Sequence, residues 1–167
     1  MGGIYAREEL GGSGLTHADA VVIFGELAKG DTTIAAYISI HNMVTWMLNS
    51  FVTDTQRAEL MPRLSTMEAL GSYCLTKPGA GSDAAALSTR AVRNGTDYVI
   101  DGVKQFISGA GASACYIVMA RAADTGSHGI RAIGHARAHL RAAGEGNGLA
   151  RATEAPGLLR QGSSAGG

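Results

Sequence analysis

Charge of a prevailing sign is the plainest thing this sequence lacks: 14 Lys and Arg residues balance 14 Asp and Glu residues, for a formal net charge of zero. With no basic excess there is no electrostatic footprint for nucleic acid or for an anionic membrane surface. Charge of either sign is sparse too, at 17% of residues where about 25% is ordinary. Cysteine is limited to Cys74 and Cys115, both in apolar, strand-like runs. That excludes a disulfide framework and leaves reduced, buried thiols as the expectation. Long, clean apolar runs are missing as well. The nearest candidate for a membrane span, 34–52, is interrupted by Ser39, His41, Asn42, Thr45, Asn49 and Ser50 and lacks basic flanks, so it reads as a buried helix. Neither an Arg-rich amphipathic segment nor an apolar h-region precedes Gly11 and Gly12, so no import or secretion signal is read and the start looks internal to a domain. Ala6 stands where a myristoylation motif needs Ser or Thr.

What is plentiful is glycine, 24 residues in 167, which implies that part of the chain does not pack. Residues 1–15 read as an irregular loop around Gly11, Gly12 and Gly14. Thr16 with Asp19 three residues on is a form of the capping box, and Val21, Val22, Phe24, Leu27 and Ala28 give a helical face that Gly30 stops. Asp31, Thr32 and Thr33 cap a second, long helix through about Phe51, apolar on most sides and central to a helical layer. Thr53 and Asp54 open a third, which Pro62 bounds or kinks.

Near residue 71 the period changes from helix to strand. The segments 72–76, 87–93, 98–100, 103–107 and 114–120 are short and rich in β-formers. Asn94-Gly95 and Asp101-Gly102 supply the positive φ of tight hairpin turns, so two antiparallel hairpins are predicted. The fold class is α+β, a helical layer followed by an antiparallel sheet. From about Arg131 the composition turns to Ala, Gly and Arg, and little stable structure is expected. His135 and His139 stand at i, i+4 without a third ligand and read as incidental, and the arginines of that stretch read as a solvated face.

Two motifs carry chemistry. Tyr73-Cys74-Leu75-Thr76-Lys77-Pro78-Gly79-Ala80-Gly81-Ser82-Asp83 is a strand-like run that Pro78 breaks, entering a loop whose glycines let backbone N–H groups approach a ligand. Lys104-Gln105-Phe106-Ile107-Ser108-Gly109 follows. Taken singly, Thr76 reads as a strand-end hydroxyl, Phe106 as a core aromatic and Ser108 as a turn former. The first loop also lacks the following helix and Lys-Ser or Lys-Thr of a phosphate-binding P-loop.

Together, in this order, the two runs resemble the paired flavin-binding signatures of the acyl-CoA dehydrogenase family. Gly3-Ile4-Tyr5 and Leu10-Gly11-Gly12-Ser13-Gly14-Leu15 resemble the loop entering that family's helical N-terminal domain. Ala36-Tyr37-Ile38-Ser39-Ile40-His41-Asn42-Met43 resembles its helix beside a short-chain acyl pocket. The resemblance runs to about Ile133. It implies a partial helical domain over 1–70, part of an antiparallel β-barrel middle domain over 71–133, and an unrelated, disordered tail over 134–167.

The implied cofactor is FAD. Residues Tyr73, Cys74, Leu75, Thr76, Lys77, Pro78, Gly79, Ala80, Gly81 and Ser82 are implied to form a flavin-contacting edge, Leu75 and Thr76 facing the isoalloxazine ring and Ser82 lying where flavin and acyl-CoA meet. Phe106 is implied to pack on the flavin face, Ser108 to hydrogen-bond near the reactive flavin nitrogen, and Ile107 to supply backbone contact between them. The implied reaction is α,β-dehydrogenation of a short, branched acyl-CoA, isobutyryl-CoA from valine breakdown. Electrons pass to electron-transfer flavoprotein, within a homotetramer in the mitochondrial matrix.

The sequence departs from the family's pattern in three ways. Lys77 stands where the family has Glu. The start resembles the middle of the helical domain. The family's helical C-terminal domain, source of its catalytic Glu, is expected to be missing, while Glu26, Glu59 and Glu68 fall in regions whose family counterparts are structural. No catalytic residue is therefore assigned, and the chain alone is expected to be inactive. The alternative is a non-catalytic, truncated isoform that binds or interferes with full-length subunits.

Overall fold

Side-chain caps start all three helices. Thr16 Oγ1 accepts from the Asp19 N–H while Asp19 Oδ2 accepts from the Thr16 N–H, so the capping box is reciprocal and α1 runs His17–Gly30. Asp31 Oδ1 accepts from the N–H groups of Thr33 and Ile34 at 2.7 and 3.0 Å, opening α2, Thr32–Phe51. Thr53 and Gln56 repeat the reciprocal box at α3, Asp54–Ser65. Pro62, expected to bound or kink α3, does not bound it. It forfeits one N–H donor, but its carbonyl still accepts from the Thr66 N–H, and the helix closes beyond it.

These elements belong to a computed structural model in which residues 1–79, 81–95 and 97–122 are described, with the backbone alone at 85, 97, 130–135, 142–143, 147–148 and 152–156. The strands are β1 Gly71–Cys74, β2 Arg90–Asn94, β3 Asp97–Asp101, β4 Cys115–Ala122, β5 Ile130–His135, β6 Ala142–Ala143, β7 Asn147–Gly148 and β8 Ala152–Pro156. β6 and β7 pair with each other, and the main sheet has the order β1-β4-β2-β3-β8, with β5 also on β4.

The sheet is mixed, not purely antiparallel as the turn signals predicted. β1 and β2 both run parallel to β4, whereas β2–β3, β4–β5 and β3–β8 are antiparallel. Of the two expected hairpins, the one at Asn94-Gly95 forms, with Gly95 at φ +63°. At Gly102 the backbone packs onto Thr89, where a Cβ would come within 2.8 Å of the Thr89 Cα. The chain then leaves the sheet, so the expected strand over 103–107 is a loop that carries the chain back alongside β1. Of the expected tail, β5 continues the sheet to His135 and β8 pairs with β3. Apart from these and the β6–β7 pair, the rest of 134–167, His139 included, lies outside the described residues.

β4 separates two cores by strand periodicity. Cys115 and Ile117 point to the helices and pack with Val44, Leu48, Met61 and Leu64. Tyr116, Val118 and Ala120 point the other way, onto Cys74, Ala91, Tyr98 and Ile100. Helices and sheet are joined at His41, which is fully buried. Its Nε2–H donates to the Leu64 carbonyl at 2.9 Å, and its Nδ1 accepts from the Gly71 N–H at 3.0 Å. One ring thus ties α2, the end of α3 and the start of β1, and the two bonds require the neutral, Nε2-protonated tautomer. Asn42 beside it holds the first residues, accepting from the Ile4 N–H and donating to the Met1 carbonyl.

Burial holds the His41 pKa below its ordinary value, against the pull of the Leu64 carbonyl. The unfolded chain therefore takes up the proton first. The stabilisation is complete above the unfolded value of about 6.5 and is lost as pH falls below it toward the depressed folded value. We expect the urea midpoint to fall between about pH 7.5 and about pH 5. His41→Leu, which strands a buried N–H and a buried carbonyl, is expected to cost about 3 kcal/mol at neutral pH and to flatten that dependence. Equal slopes for the two proteins would refute the assignment.

Candidate functional site

The two chemistry-bearing runs lie side by side because the second loop fastens the first. β1 ends at Cys74 and continues into the loop 75–83. The Gln105 N–H donates to the Thr76 carbonyl at 3.0 Å, and Gln105 Nε2 donates to the Lys77 carbonyl at 3.1 Å. Lys104 Nζ donates to the Leu75 carbonyl at 3.0 Å and to the Met119 carbonyl at 2.7 Å, so it ties the loop to β4 as well.

Lys104 is only 1% exposed. Burial pushes its pKa down to about 8, with the charge of Lys77 acting in the same direction and Cys74 opposing. Burial also pushes the Cys74 and Cys115 thiols up to about 12, so both are neutral and unreactive. Lys77 is buried, its Nζ 3.4 Å from the Asp83 carbonyl. The tip of the loop is open: Pro78, Gly79, Gly81 and Ser82 are exposed, and Gly79 has φ +82°. Asp83 is occupied locally, its carboxylate accepting from the Ala86 N–H. Ala80 lies outside the described residues.

Phe106 is the site's conformational outlier. It has φ +56° and is 80% exposed, so it is not the core aromatic that its type alone predicts. A bulky residue held in the left-handed region on the surface carries backbone strain without burying its ring. Its neighbours hold it there, Gln105 through the bonds above and Ile107 by packing against the sheet core. Ser108 presents an exposed side chain, while its carbonyl accepts from Ser72 Oγ.

Beside Ser108 opens a cavity of about 650 Å³, within the usual size range for small-ligand pockets. One wall is the first turns of α2, with Thr32, Thr33, Ala36 and Tyr37. The other is Leu70 with Ser108, Gly109 and Ala112. None of these eight lining residues carries a carboxylate. Among the described residues no group of three His, Cys, Asp or Glu side chains is placed to hold a metal.

Leu75, Thr76, Lys77, Phe106, Ile107 and Ser108 are thus brought together, with Pro78, Gly79, Gly81 and Ser82 as the open tip. Tyr73 and Cys74 alternate along β1, so Tyr73 packs toward the helices and Cys74 into the sheet core. Lys104 and Gln105, which do the fastening, were visible in the second run only as its polar start. Ser72, Ser113 and Leu70 had no sequence signal, since small hydroxyl and aliphatic residues are common everywhere.

Two family profiles match the chain. The profile described as "Acyl-CoA dehydrogenase, N-terminal domain" matches residues 1–68, and "Acyl-CoA dehydrogenase, middle domain" matches residues 72–153, past the Ile133 at which the resemblance was read to stop. The chain is 48% identical over 133 residues to the mitochondrial isobutyryl-CoA dehydrogenase of Bos taurus, covering 80% of this chain and 32% of that protein. It is 49% identical over 131 residues to that of Dictyostelium discoideum, covering 78% and 32%. Butyryl-CoA dehydrogenase from Megasphaera elsdenii superposes with a TM-score of 0.79 at 27% identity, over 97% of this chain and 48% of that one. The chain spans about a third of the length of the curated relatives it matches.

Gly109, with φ +77°, lets the second loop close on α2: a Cβ there would lie 2.4 Å from Tyr37 Oη and 2.6 Å from Ser113 Oγ. We expect Gly109→Ala to destabilise the chain by about 2 kcal/mol, as strain and collision together. A thermal midpoint within error of wild type would show that the loop does not rest on Tyr37.

Proposed function

The chain belongs to the acyl-CoA dehydrogenase family, and from that premise we propose that residues 75–82 and 106–108 hold FAD while the adjoining cavity takes a short, branched acyl-CoA, isobutyryl-CoA. The observation that carries the reading is Phe106. A strained, 80% exposed aromatic between two anchored neighbours is an unsatisfied platform, and a planar ring system is the ligand that covers it. The surroundings fit such a group: the Ser108 side chain and the open tip at Gly79 and Gly81 supply polar contacts on its margin.

A bound flavin would supply the hydride acceptor for the β-hydrogen of the thioester. This chain's residues orient and enclose. Lys104 and Gln105 hold the loop at 75–77, Phe106 would support the ring face, and the cavity beside Ser108 would seat the acyl group. Removal of the α-proton needs a base within hydrogen-bonding reach. With no carboxylate lining the cavity, the proposal is binding without turnover by this chain alone. As a reading of the family's whole reaction, it takes electron-transfer flavoprotein as the acceptor, a homotetramer as the assembly, and the mitochondrial matrix and valine breakdown as the setting. Both curated relatives are named as mitochondrial isobutyryl-CoA dehydrogenases.

A second reading, association with full-length subunits, is favoured by Val21, Val22 and Ile34. They leave apolar surface of α1 and α2 72%, 65% and 56% exposed.

The test is an absorbance spectrum of the chain after incubation with FAD and desalting, then after anaerobic addition of isobutyryl-CoA. We expect retained flavin whose bands shift without bleaching. A colourless preparation would refute cofactor binding, and bleaching would refute the absence of turnover. Phe106→Asn places a residue tolerant of positive φ at an exposed position. We expect its stability to stay within about 0.5 kcal/mol of wild type, with flavin affinity falling about tenfold. Unchanged affinity would remove Phe106 from the site.

A further inference from the structure

Four groups form a hydroxyl chain beside the cavity. Ser72, fully buried, has its Oγ against the Ser108 carbonyl and 2.6 Å from Ser113 Oγ. Ser113 Oγ is in turn 3.2 Å from Tyr37 Oη. Each hydroxyl owns one proton, and the carbonyl at the end can only accept.

That terminus fixes the direction of every bond. Ser72 donates to Ser108, so its oxygen must accept from Ser113. The Ser113 proton is then committed, so its oxygen must accept from Tyr37. Tyr37 therefore spends its only proton inward. One side of its oxygen is shut off by Gly109, whose close approach leaves no room even for a Cβ. Tyr37 is itself one of the residues that line the cavity.

Resting on the function proposed above, we infer that Tyr37 faces the ligand as a hydrogen-bond acceptor only, and that this part of the cavity selects a ligand group bearing an N–H or O–H donor. Ser72 and Ser113 act through Tyr37 and are positioning residues. They contribute no contact of their own and fix which way the phenol points. A ligand offering a carbonyl or thioester oxygen at this point meets lone pairs against lone pairs and is disfavoured, which sets the orientation in which an acyl thioester and its amide-bearing arm enter.

Two arms test this. Without ligand, the tyrosine Raman doublet, whose intensity ratio differs between donating and accepting phenols, is compared in wild type, Tyr37→Phe and Ser72→Ala. The wild-type minus Tyr37→Phe difference should carry the donating signature. Ser72→Ala frees the Ser113 proton to turn toward Tyr37 and should move the signature toward accepting. An accepting signature in wild type, or none of this movement in Ser72→Ala, overturns the assigned direction.

With ligand, FAD and S-isobutyryl-N-acetylcysteamine are titrated into wild type and Tyr37→Phe. We expect one of the two to bind about 3- to 10-fold more weakly to the variant. Weakening of the thioester identifies its amide N–H as the donor, and weakening of FAD identifies a flavin imide or ribityl hydroxyl. Wild type that binds both while Tyr37→Phe binds them equally well removes this inference alone. Wild type that binds neither removes the proposed function, and the ligand claim with it, while the Raman arm still decides the direction of the chain.

Discussion

The seam between helices and sheet is held by an imidazole that cannot be charged without losing a bond. His41 gives a proton to the end of α3 and takes one from the start of β1 while sitting in α2. The apolar contacts on either side, from Val44 and Leu48 across to Cys115 and Ile117, are non-directional and would tolerate sliding. The two hydrogen bonds do not. They set the register in which β1 leaves the helical layer, hence where β4 lies beside it and where both loops emerge. Gly71 completes the constraint, since a Cβ there would come within 2.6 Å of the Val44 side chain.

Downstream of that seam, the site is sewn together by backbone carbonyls. Lys104 and Gln105 each reach two carbonyls, on Leu75, Met119, Thr76 and Lys77. Carbonyl acceptors at three points of the first loop fasten it to Lys104 and Gln105 through its backbone, which leaves the tip exposed. The arrangement places two lysines in a poorly solvated region, and Lys104 accommodates by holding its proton less tightly. The strain at Phe106 belongs to the same pattern, a locally unfavourable conformation kept because its neighbours on both sides are anchored.

How much of this was legible in the sequence divides along physical lines. Helix starts were, because capping is a local code: Thr16 with Asp19, Asp31, and Thr53 each act within a few residues. The paired runs were too, because a break by Pro78 followed by small residues and then Ser and Asp is a local pattern, and the two runs share a family's order. Strand direction was not. Asp101-Gly102 has good hairpin chemistry, but Gly102 serves a close approach to Thr89 instead, and close approach depends on partners far away in the chain. Pro62 likewise looked like a boundary because the local cost of one lost donor says nothing of what packs behind Met61 and Leu64. The hydroxyls of Ser72 and Ser113 were invisible for the same reason. Their meaning lies in what they touch.

The parallel pairing of β1 with β4 has a consequence for the order of assembly. Gly71 pairs with Cys115, so the whole stretch carrying both functional loops is the interior of one large closure. Closing it costs chain entropy before any strand contact repays that cost, and pairings so distant in sequence form late. The helices, joined by short connections and capped from within, meet no such delay. Folding therefore runs from a helical layer that forms early and presents the His41 nitrogen, to a slow docking of β4 that completes the sheet and brings Leu70, Ser108, Gly109 and Ala112 against the α2 wall of the cavity. The cavity is therefore a product of the most distant pairing in the described sheet, and its two walls meet only when that pairing is made.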